Sequence, residues 1–145
     1  MVNKMKRKGT DWERQIADKF NSALETTVWK RVPGSGALGT ILEISSLRGD
    51  VKGKFNFSKR PVLIEAKTGY GGSKQLTVKK EWLDKIKQEA DTSFGIPILV
   101  CKFSNARKGV RDFIAMDVDE FLKLMRLAED IYDELDDLYK GQNDE

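Results

Sequence analysis

The most constraining feature of the sequence is a short apolar run that leads directly into the triplet Glu65-Ala66-Lys67. Residues 61–64, Pro-Val-Leu-Ile, predict a buried strand. Successive side chains of a strand point to opposite faces, so Glu65 and Lys67 would lie on the same face. A carboxylate and an ammonium placed together at the end of a buried strand can help to hold a cation and to orient the water that it activates.

A second carboxylate, Asp50, precedes Glu65 by 15 positions with a turn between them, as expected for neighbouring strands. Together with the backbone carbonyl of Ala66, these acids supply the hard oxygen ligands that Mg²⁺ prefers. Glu13 could complete the site if its helix packs against the same sheet edge. Lys67 would then contact the attacking water or the scissile phosphate, the arrangement needed for metal-assisted phosphodiester hydrolysis.

A simpler interpretation of the same residues stays open at this point. Asp50 could lie in an ordinary turn, and Glu65 and Lys67 could form an ion pair on an exposed strand. The absence of histidine favours the metal-site hypothesis, because it excludes histidine-based zinc sites and Ser-His or Cys-His catalysis. The single cysteine, Cys101, cannot form an internal disulfide and is expected to be a buried strand residue.

Charge is distributed unevenly along the 145 residues. Residues 1–110 hold 22 Lys/Arg and 11 Asp/Glu, whereas residues 111–145 hold 4 Lys/Arg and 12 Asp/Glu. The strongly basic part suits a polyanionic partner such as nucleic acid. No apolar stretch approaches the roughly 20 residues that a membrane-spanning helix needs. We therefore expect no membrane association. The basic N-terminus lacks the apolar segment of a secretory signal, so we expect an intracellular location.

Hydrophobic spacing predicts an α/β domain with a mixed sheet and helices packed on its faces. The predicted helices cover residues 10–24, 77–90 and 118–140, and the predicted strands cover residues 26–32, 61–67, 96–103 and 110–116, with a further short strand beside Asp50. The organisation is expected to be a flexible basic arm (1–9), a core domain (10–117), an amphipathic acidic helix (118–140) and a tail (141–145).

The last predicted helix carries one apolar stripe and one acidic face. The stripe contains Phe121, Leu124, Met125, Ala128, Ile131, Tyr132, Leu135, Leu138 and Tyr139. It is wide for a helix on a small domain, so packing within the chain and contact with a second copy remain equal alternatives. The acidic face also permits docking of another protein or shielding of the chain's own basic surface.

Several short motifs, in order, resemble those of the PD-(D/E)xK nuclease superfamily, and within it the archaeal-type Holliday-junction resolvases, which also occur in some phages and viruses. The motifs are Arg7-Lys8-Gly9-Thr10, Trp12-Glu13-Arg14, Gly34-Ser35-Gly36-Ala37, Gly49-Asp50 and Glu65-Ala66-Lys67. The resemblance spans about residues 7–116 and implies a restriction-endonuclease-like sheet. Residue 49 is Gly where the superfamily name has Pro, and the C-terminal helix lies outside the resemblance.

The resemblance implies a role for each matching residue. Glu13, Asp50 and Glu65 would bind the metal, and Lys67 would assist the water. Arg14 and Ser35 would also contribute to activity. DNA contacts are expected at Lys6, Arg7, Lys8, Arg31, Ser35 and Lys74.

The activity expected from the resemblance is resolution of four-way DNA junctions by paired nicks. The enzyme would be a Mg²⁺-dependent homodimer, in which Mn²⁺ could substitute, and it would act in the cytoplasm, that of the host if a phage encodes it. Two alternatives remain from the sequence. One is a nuclease of the same superfamily that acts on duplex ends or nicks, and the other is a DNA-binding protein without catalytic activity.

Overall fold

Helices and strands follow one another in the predicted order. The computed structural model describes residues 4–33, 49–70, 72 and 74–143. The elements are α1 (Lys4–Ala23), β1 (Lys30–Arg31), β2 (Val51–Gly53), β3 (Val62–Thr68), α2 (Lys80–Asp91), β4 (Ile96–Lys102), β5 (Asp112–Ala115) and α3 (Val118–Asn143). This confirms the predicted α/β class with an additional C-terminal helix.

The strands form one mixed sheet in the order β1-β2-β3-β4-β5. The central strands β3 and β4 run parallel, with Glu65 level with Leu99, and α2 connects them. The other neighbouring pairs are antiparallel. The motif strand β3 therefore lies in the middle of the sheet, as its apolar sequence predicts, and is covered on both faces.

Alternate residues of β3 face two different helices. Val62 and Ile64 belong to a core cluster with Trp12 and Ile16 of α1. Leu63 points to the opposite face, which α2 covers, and is completely buried. Because Glu65 has the same parity as Leu63, the alternation of the strand directs its side chain towards α2.

The first helix begins at Lys4, six residues before the predicted start. Residues 4–9 of the predicted flexible arm are therefore helical. Lysine and methionine are good helix formers, and the sequence pattern gave them no weight because they carry no buried face. The extension is also held from outside, since Lys8 donates a hydrogen bond to the carbonyl of Gly69 (3.0 Å) and lies over the Tyr70 ring.

The first strand is much shorter than the predicted 26–32. Its residues are Lys30 and Arg31 alone. The amide side chain of Asn21 occupies both backbone groups of Trp29, donating to its carbonyl (2.8 Å) and accepting from its N–H (3.0 Å). These contacts replace strand pairing at that residue. Trp29 itself is buried in the core.

The last helix is attached to the core near its beginning. Asp117 caps it by accepting the N–H groups of Asp119 (2.9 Å) and Glu120 (3.1 Å). The buried carboxylate of Glu120 is paired with Arg60 (3.0 Å), and Leu124 packs against the core. No helix in the described part of the chain has an apolar stretch of the length that a membrane span requires.

Candidate active site

Glu65 and Lys67 lie together at the C-terminal end of β3. Glu65 is buried, and Nζ of Lys67 lies 3.2 Å from its Oε1. The ammonium of Lys67 also lies 4.8 Å from the centre of the Trp82 ring on α2. The pair is therefore formed on the α2 face of a central strand, in contrast to the exposed ion pair that the sequence left as an alternative.

Asp50 is fixed beside Glu65 by hydrogen bonds to two neighbouring segments. Its N–H donates to the carbonyl of Ile64 (2.7 Å), and its own carbonyl accepts the N–H of Val32 (2.9 Å). Its Oδ2 accepts the N–H of Ala66 (2.9 Å). Asp50 is thus joined directly to the strand that carries Glu65, as the proposed pair of carboxylates requires.

The turn before Asp50 is held by a buried carboxylate that the sequence analysis did not single out. Oε2 of Glu89, on α2, accepts the N–H of Gly49 at 2.9 Å. Gly49 has φ of 76°, a left-handed conformation that favours glycine. The backbone thus favours glycine at the position where the superfamily name has Pro, and Glu89 fixes the backbone that presents Asp50.

Glu13 approaches the group from α1. Its carboxylate is paired with Arg31 of β1. Burial raises the pKa of Glu13, and the negative charge of Asp50 raises it further, while the contact with Arg31 opposes both. Arg31, which was expected to contact DNA, is therefore the counter-ion of a candidate metal ligand.

Asp50 is electrostatically coupled to both glutamates. Burial raises the pKa of Glu65, the charge of Asp50 raises it further, and Lys85 and Lys67 oppose this. Negative charge at Glu13 and Glu65 is therefore costly and is compensated by neighbouring cations. Carboxylates that repel one another are suitable ligands for a hard divalent cation, because the cation would reduce the repulsion between them.

The three acids do not form a preformed metal cluster. Among the described residues, no group of three or more acidic or cysteine side chains is close enough together to hold an ion. The reason is visible in their contacts: Glu13 is turned to Arg31, Asp50 to the N–H of Ala66, and Glu65 to its lysines. The donor set fits a hard cation, but its side chains must rearrange to share one.

A second lysine, from α2, reaches the same carboxylate as Lys67. Nζ of Lys85 lies 3.5 Å from Oε1 of Glu65 and 3.9 Å from Oε1 of Glu89. Burial lowers the pKa of Lys85, but the charges of Glu65, Glu89 and Asp50 outweigh that effect and raise it. Lys85 therefore stays an ammonium beside the candidate metal ligands.

Lys85 and Glu89 were missed by the sequence analysis, although one signal was present. Both lie on the side of α2 that also carries Trp82, Ile86 and Ala90, so two charged residues flank an apolar stripe. A buried charge on such a stripe needs a partner of opposite charge. The sequence cannot show that the partners come from β3 and from the turn at Gly49.

Among the predicted catalytic residues that the structure describes, Arg14 is not one of the gathered side chains. The side chain of Arg14 is 64% exposed and pairs with Asp11 at 3.7 Å, although its charge still lowers the pKa of Glu13. Ser35 lies outside the described residues. Ala66 contributes its N–H to Asp50, and its side chain packs against the core on the α1 face.

A basic cleft of about 650 Å³ lies at the end of β3, between α1 and the segment after β4. Its basic lining residues are Lys4, Arg7, Lys8, Lys102 and Arg107. Thr68 lines both this cleft and a neighbouring cavity of about 480 Å³ that contains Lys67 and Trp82. The basic cleft and the candidate active site are therefore adjacent.

The predicted DNA-binding residues occupy different positions relative to this cleft. Arg7 and Lys8 line it, as does Lys102, which was not predicted. Lys6 is exposed on α1 and Lys74 is exposed in the segment before α2. Arg7 and Lys8 therefore line the same cleft, at the end of β3.

The family comparison agrees with this fold and with the motifs. A family model described as "Phage putative PDDEXK endonuclease" matches residues 4–139, which is nearly the whole chain. A comparison with curated proteins found no match.

Proposed function

We propose that this chain, which belongs to the phage PDDEXK endonuclease family just described, cuts branched DNA and resolves four-way junctions by paired nicks. One observation carries the proposal: Asp50 is coupled to Glu13 and Glu65, and Lys67 lies on Glu65 beside a basic cleft. Nucleases of the PDDEXK class generally use divalent metals. Mg²⁺ is the proposed ion here, with Mn²⁺ as a substitute.

The residues of the chain would divide the chemistry as follows. Glu13, Asp50 and Glu65 would hold the ion, with the carbonyl of Ala66 as a further oxygen. A bound divalent cation supplies polarisation of the phosphate and activation of water. Lys67 would orient the attacking water and donate a hydrogen bond to the phosphate as negative charge develops on it.

The basic cleft supports a nucleic-acid substrate. Lys4, Arg7, Lys8, Lys102 and Arg107 present cationic side chains beside the end of β3. Contacts of this kind bind phosphates and position a duplex, but they do not specify sequence. We therefore propose recognition by the shape of the branch.

The proposed substrate favours a homodimer, because a four-way junction has near-twofold symmetry and a C₂ dimer presents two equivalent active sites to opposed strands. The proposed cytoplasmic location follows from the substrate, since such junctions arise where DNA is copied and recombined.

The test compares three substrates made from the same arms: a four-way junction, a nicked duplex and a linear duplex. With Mg²⁺ we expect symmetrical nicks in the junction and little cutting of the others. Preferential cutting of the nicked or linear duplex would replace the junction with duplex ends or nicks as substrate. Salt-sensitive binding without any metal-dependent product would identify a DNA-binding protein without catalytic activity.

Substitution of the acids assigns the site. Asp50→Ala and Glu65→Ala each remove an interaction with the ion worth several kcal/mol, so cleavage should fall about 1000-fold or more while junction binding persists. Asp84→Ala is the matched control, because Asp84 is an exposed acid on α2 that pairs with Lys80. Undiminished cleavage by both site variants would refute the assignment.

A further inference from the structure

The end of the sheet formed by β1 and β2 carries two lysines that face each other. In the register of these antiparallel strands, Lys30 is level with Lys52. Residues that are level in such a pair point to the same face, with their Cβ atoms about 5 Å apart. Like charges in this position repel each other, so the pair destabilises the strands that carry it.

In the described part of the chain, no acid compensates this charge. Lys30, Lys52 and Lys54 form no ion pair with any described residue. They line one cleft of about 440 Å³, whose lining contains no acidic residue, and we call the three the lysine cluster. The pairing of β4 with β5 differs, because it places Lys102 level with Asp112, which has the opposite charge.

The lysine cluster lies on the same face of the sheet as the candidate active site. Lys52 is level with Leu63 of β3, which points to the face that α2 covers. Its neighbour Val51 points to the other face and belongs to the core cluster with α1. The same register, continued by one residue, places Asp50 level with Glu65. Two strand positions span about 7 Å, so Lys52 follows these acids closely on their own face.

Positive charge therefore flanks the candidate acids at both ends. On β3, Lys67 and Thr68 lead from the acids to the basic cleft. On β2, the chain leads from Asp50 to Lys52 and then, two positions further on, to Lys54. A nucleic-acid backbone has phosphates on either side of any bond, so a strand held at the acids presents negative charge in both directions.

We propose that the lysine cluster is a second binding site for the DNA backbone, and that it holds the phosphates on the side of the cut opposite to the basic cleft. The position of the cut rests on the proposed function, whereas binding of DNA to the cluster does not require cleavage. A phosphate between Lys30 and Lys52 neutralises charges that otherwise repel each other, so bound DNA offsets the destabilisation of the facing pair. Such contacts position the backbone and read no base sequence.

The first test measures affinity and stability in the same variant. The probe is a four-way junction with duplex arms, and EDTA prevents metal-dependent cleavage. Lys52→Met should weaken binding about 5- to 10-fold at about 0.1 M salt, and the slope of log affinity against log salt should become less steep by about 0.9. Without DNA, the variant should be at least as stable in urea as the wild type, because a repulsion has been removed.

Two control variants separate this contact from a general loss of positive charge. Lys140→Met removes an exposed lysine of α3 that pairs with Asp136, and it should leave the affinity close to that of the wild type. Lys52→Arg keeps the charge and should keep the affinity and the salt slope. Unchanged affinity in Lys52→Met, or an equal loss in Lys140→Met, would overturn the proposal. A loss of affinity that accompanies a loss of stability would also overturn it, because the facing lysines would then not repel each other.

The second test locates the DNA on the two surfaces. A photo-activated cross-linker is attached to the cysteine of Lys52→Cys and, in a separate chain, to that of Arg107→Cys in the basic cleft. The natural Cys101 is buried in β4, so labelling of the folded protein is confined to the introduced residue. The cross-linked nucleotides should lie on opposite sides of the nick that the wild type makes in the same junction with Mg²⁺.

Cross-links from both positions on the same side of the nick, or none from position 52, would overturn the proposal. A wild type that makes no nick would instead refute the proposed function. The affinity and stability of Lys52→Met would then still decide whether the lysine cluster binds DNA, because that measurement is made without cleavage.

Discussion

Lys85 and Lys67 contact the same atom, Oε1 of Glu65, at 3.5 and 3.2 Å. One carboxylate oxygen therefore has two ammonium groups from different elements, α2 and β3. A metal ion that binds Glu65 must compete with both lysines or displace one. Lys85 is the one that can leave more readily, because its side chain is 46% exposed whereas that of Lys67 is 28% exposed.

We expect Lys85→Met to lower the Mg²⁺ concentration needed for half-maximal cleavage. The variant removes a competing cation, and solvent screening limits the gain to about 1 kcal/mol, or about fivefold. Cleavage is measured against Mg²⁺ at alkaline pH, where Glu65 remains ionised. Lys87→Met is the control, because Lys87 lies on the same helix and pairs with Asp117. A higher Mg²⁺ requirement in Lys85→Met would show that Lys85 assists the reaction instead.

Glu89→Ala is expected to reduce both stability and cleavage. The substitution leaves the buried N–H of Gly49 without its acceptor, which costs about 1–3 kcal/mol. Because Gly49 precedes Asp50, the cleavage rate at saturating DNA should also fall. Glu89→Gln keeps an acceptor oxygen and should retain more of both properties. Urea unfolding and single-turnover cleavage measure the two effects, and Glu81→Ala, an exposed residue of α2, is the control. Equal losses in the Ala and Gln variants would contradict a positioning role.

Gly53→Ala should destabilise the fold without touching the candidate site directly. A methyl group at this position of β2 would overlap the indole ring of Trp29. Overpacking of this kind costs about 1–3 kcal/mol. Gly9→Ala is the matched control, because a methyl group there meets no atom within 4 Å and should stabilise α1 by about 0.5–1 kcal/mol. Urea unfolding should show a lower free energy of unfolding for Gly53→Ala and a higher one for Gly9→Ala than for the wild type.

The pair between Glu120 and Arg60 should make the stability of the protein sensitive to acid. Burial opposes ionisation of Glu120, but Arg60 and Lys123 outweigh it and hold the pKa of the carboxyl below its usual value. A carboxyl with a lowered pKa in the folded state contributes stability above its unfolded pKa, and this contribution is lost as the pH falls through the lowered value.

Glu120→Gln should therefore destabilise the protein at neutral pH by about 1–3 kcal/mol, and the difference from wild type should shrink in acid. The measurement is the free energy of unfolding by urea across the pH range. Glu134→Gln is the control, because Glu134 is an exposed residue of α3. A difference that stays constant down to strongly acidic pH would argue against the charged pair.

The sequence predicts those helices and strands in which the spacing of apolar residues reflects the burial of a face. The apolar run before Glu65 is the central strand, and the shared face of Glu65 and Lys67 follows from the alternation of a strand. The early start of α1 could not be predicted from burial, because Lys4 to Lys8 carry no buried face, and the contacts with Gly69 and Tyr70 are made by Lys8 alone. Hydrogen bonds from the side chain of Asn21 shorten the first strand, and strand propensities do not include such contacts.

The candidate site was predictable only in part, because its members come from four separate elements. The roles given to Glu13, Asp50, Glu65 and Lys67 remain predictions, now with a stated geometry. Lys85 and Glu89 depend on how the connection through α2 packs on β3, which no local pattern encodes.

The shortness of β1 has a consequence for the durability of the enzyme. Val32, just after this two-residue strand, donates to the carbonyl of Asp50, so a candidate metal ligand is attached to the shortest of the described strands. Edges with few paired residues open before the interior does. Warming should therefore abolish cleavage reversibly at temperatures where the helices are still folded. The shortest described strand would then limit how long the protein stays active.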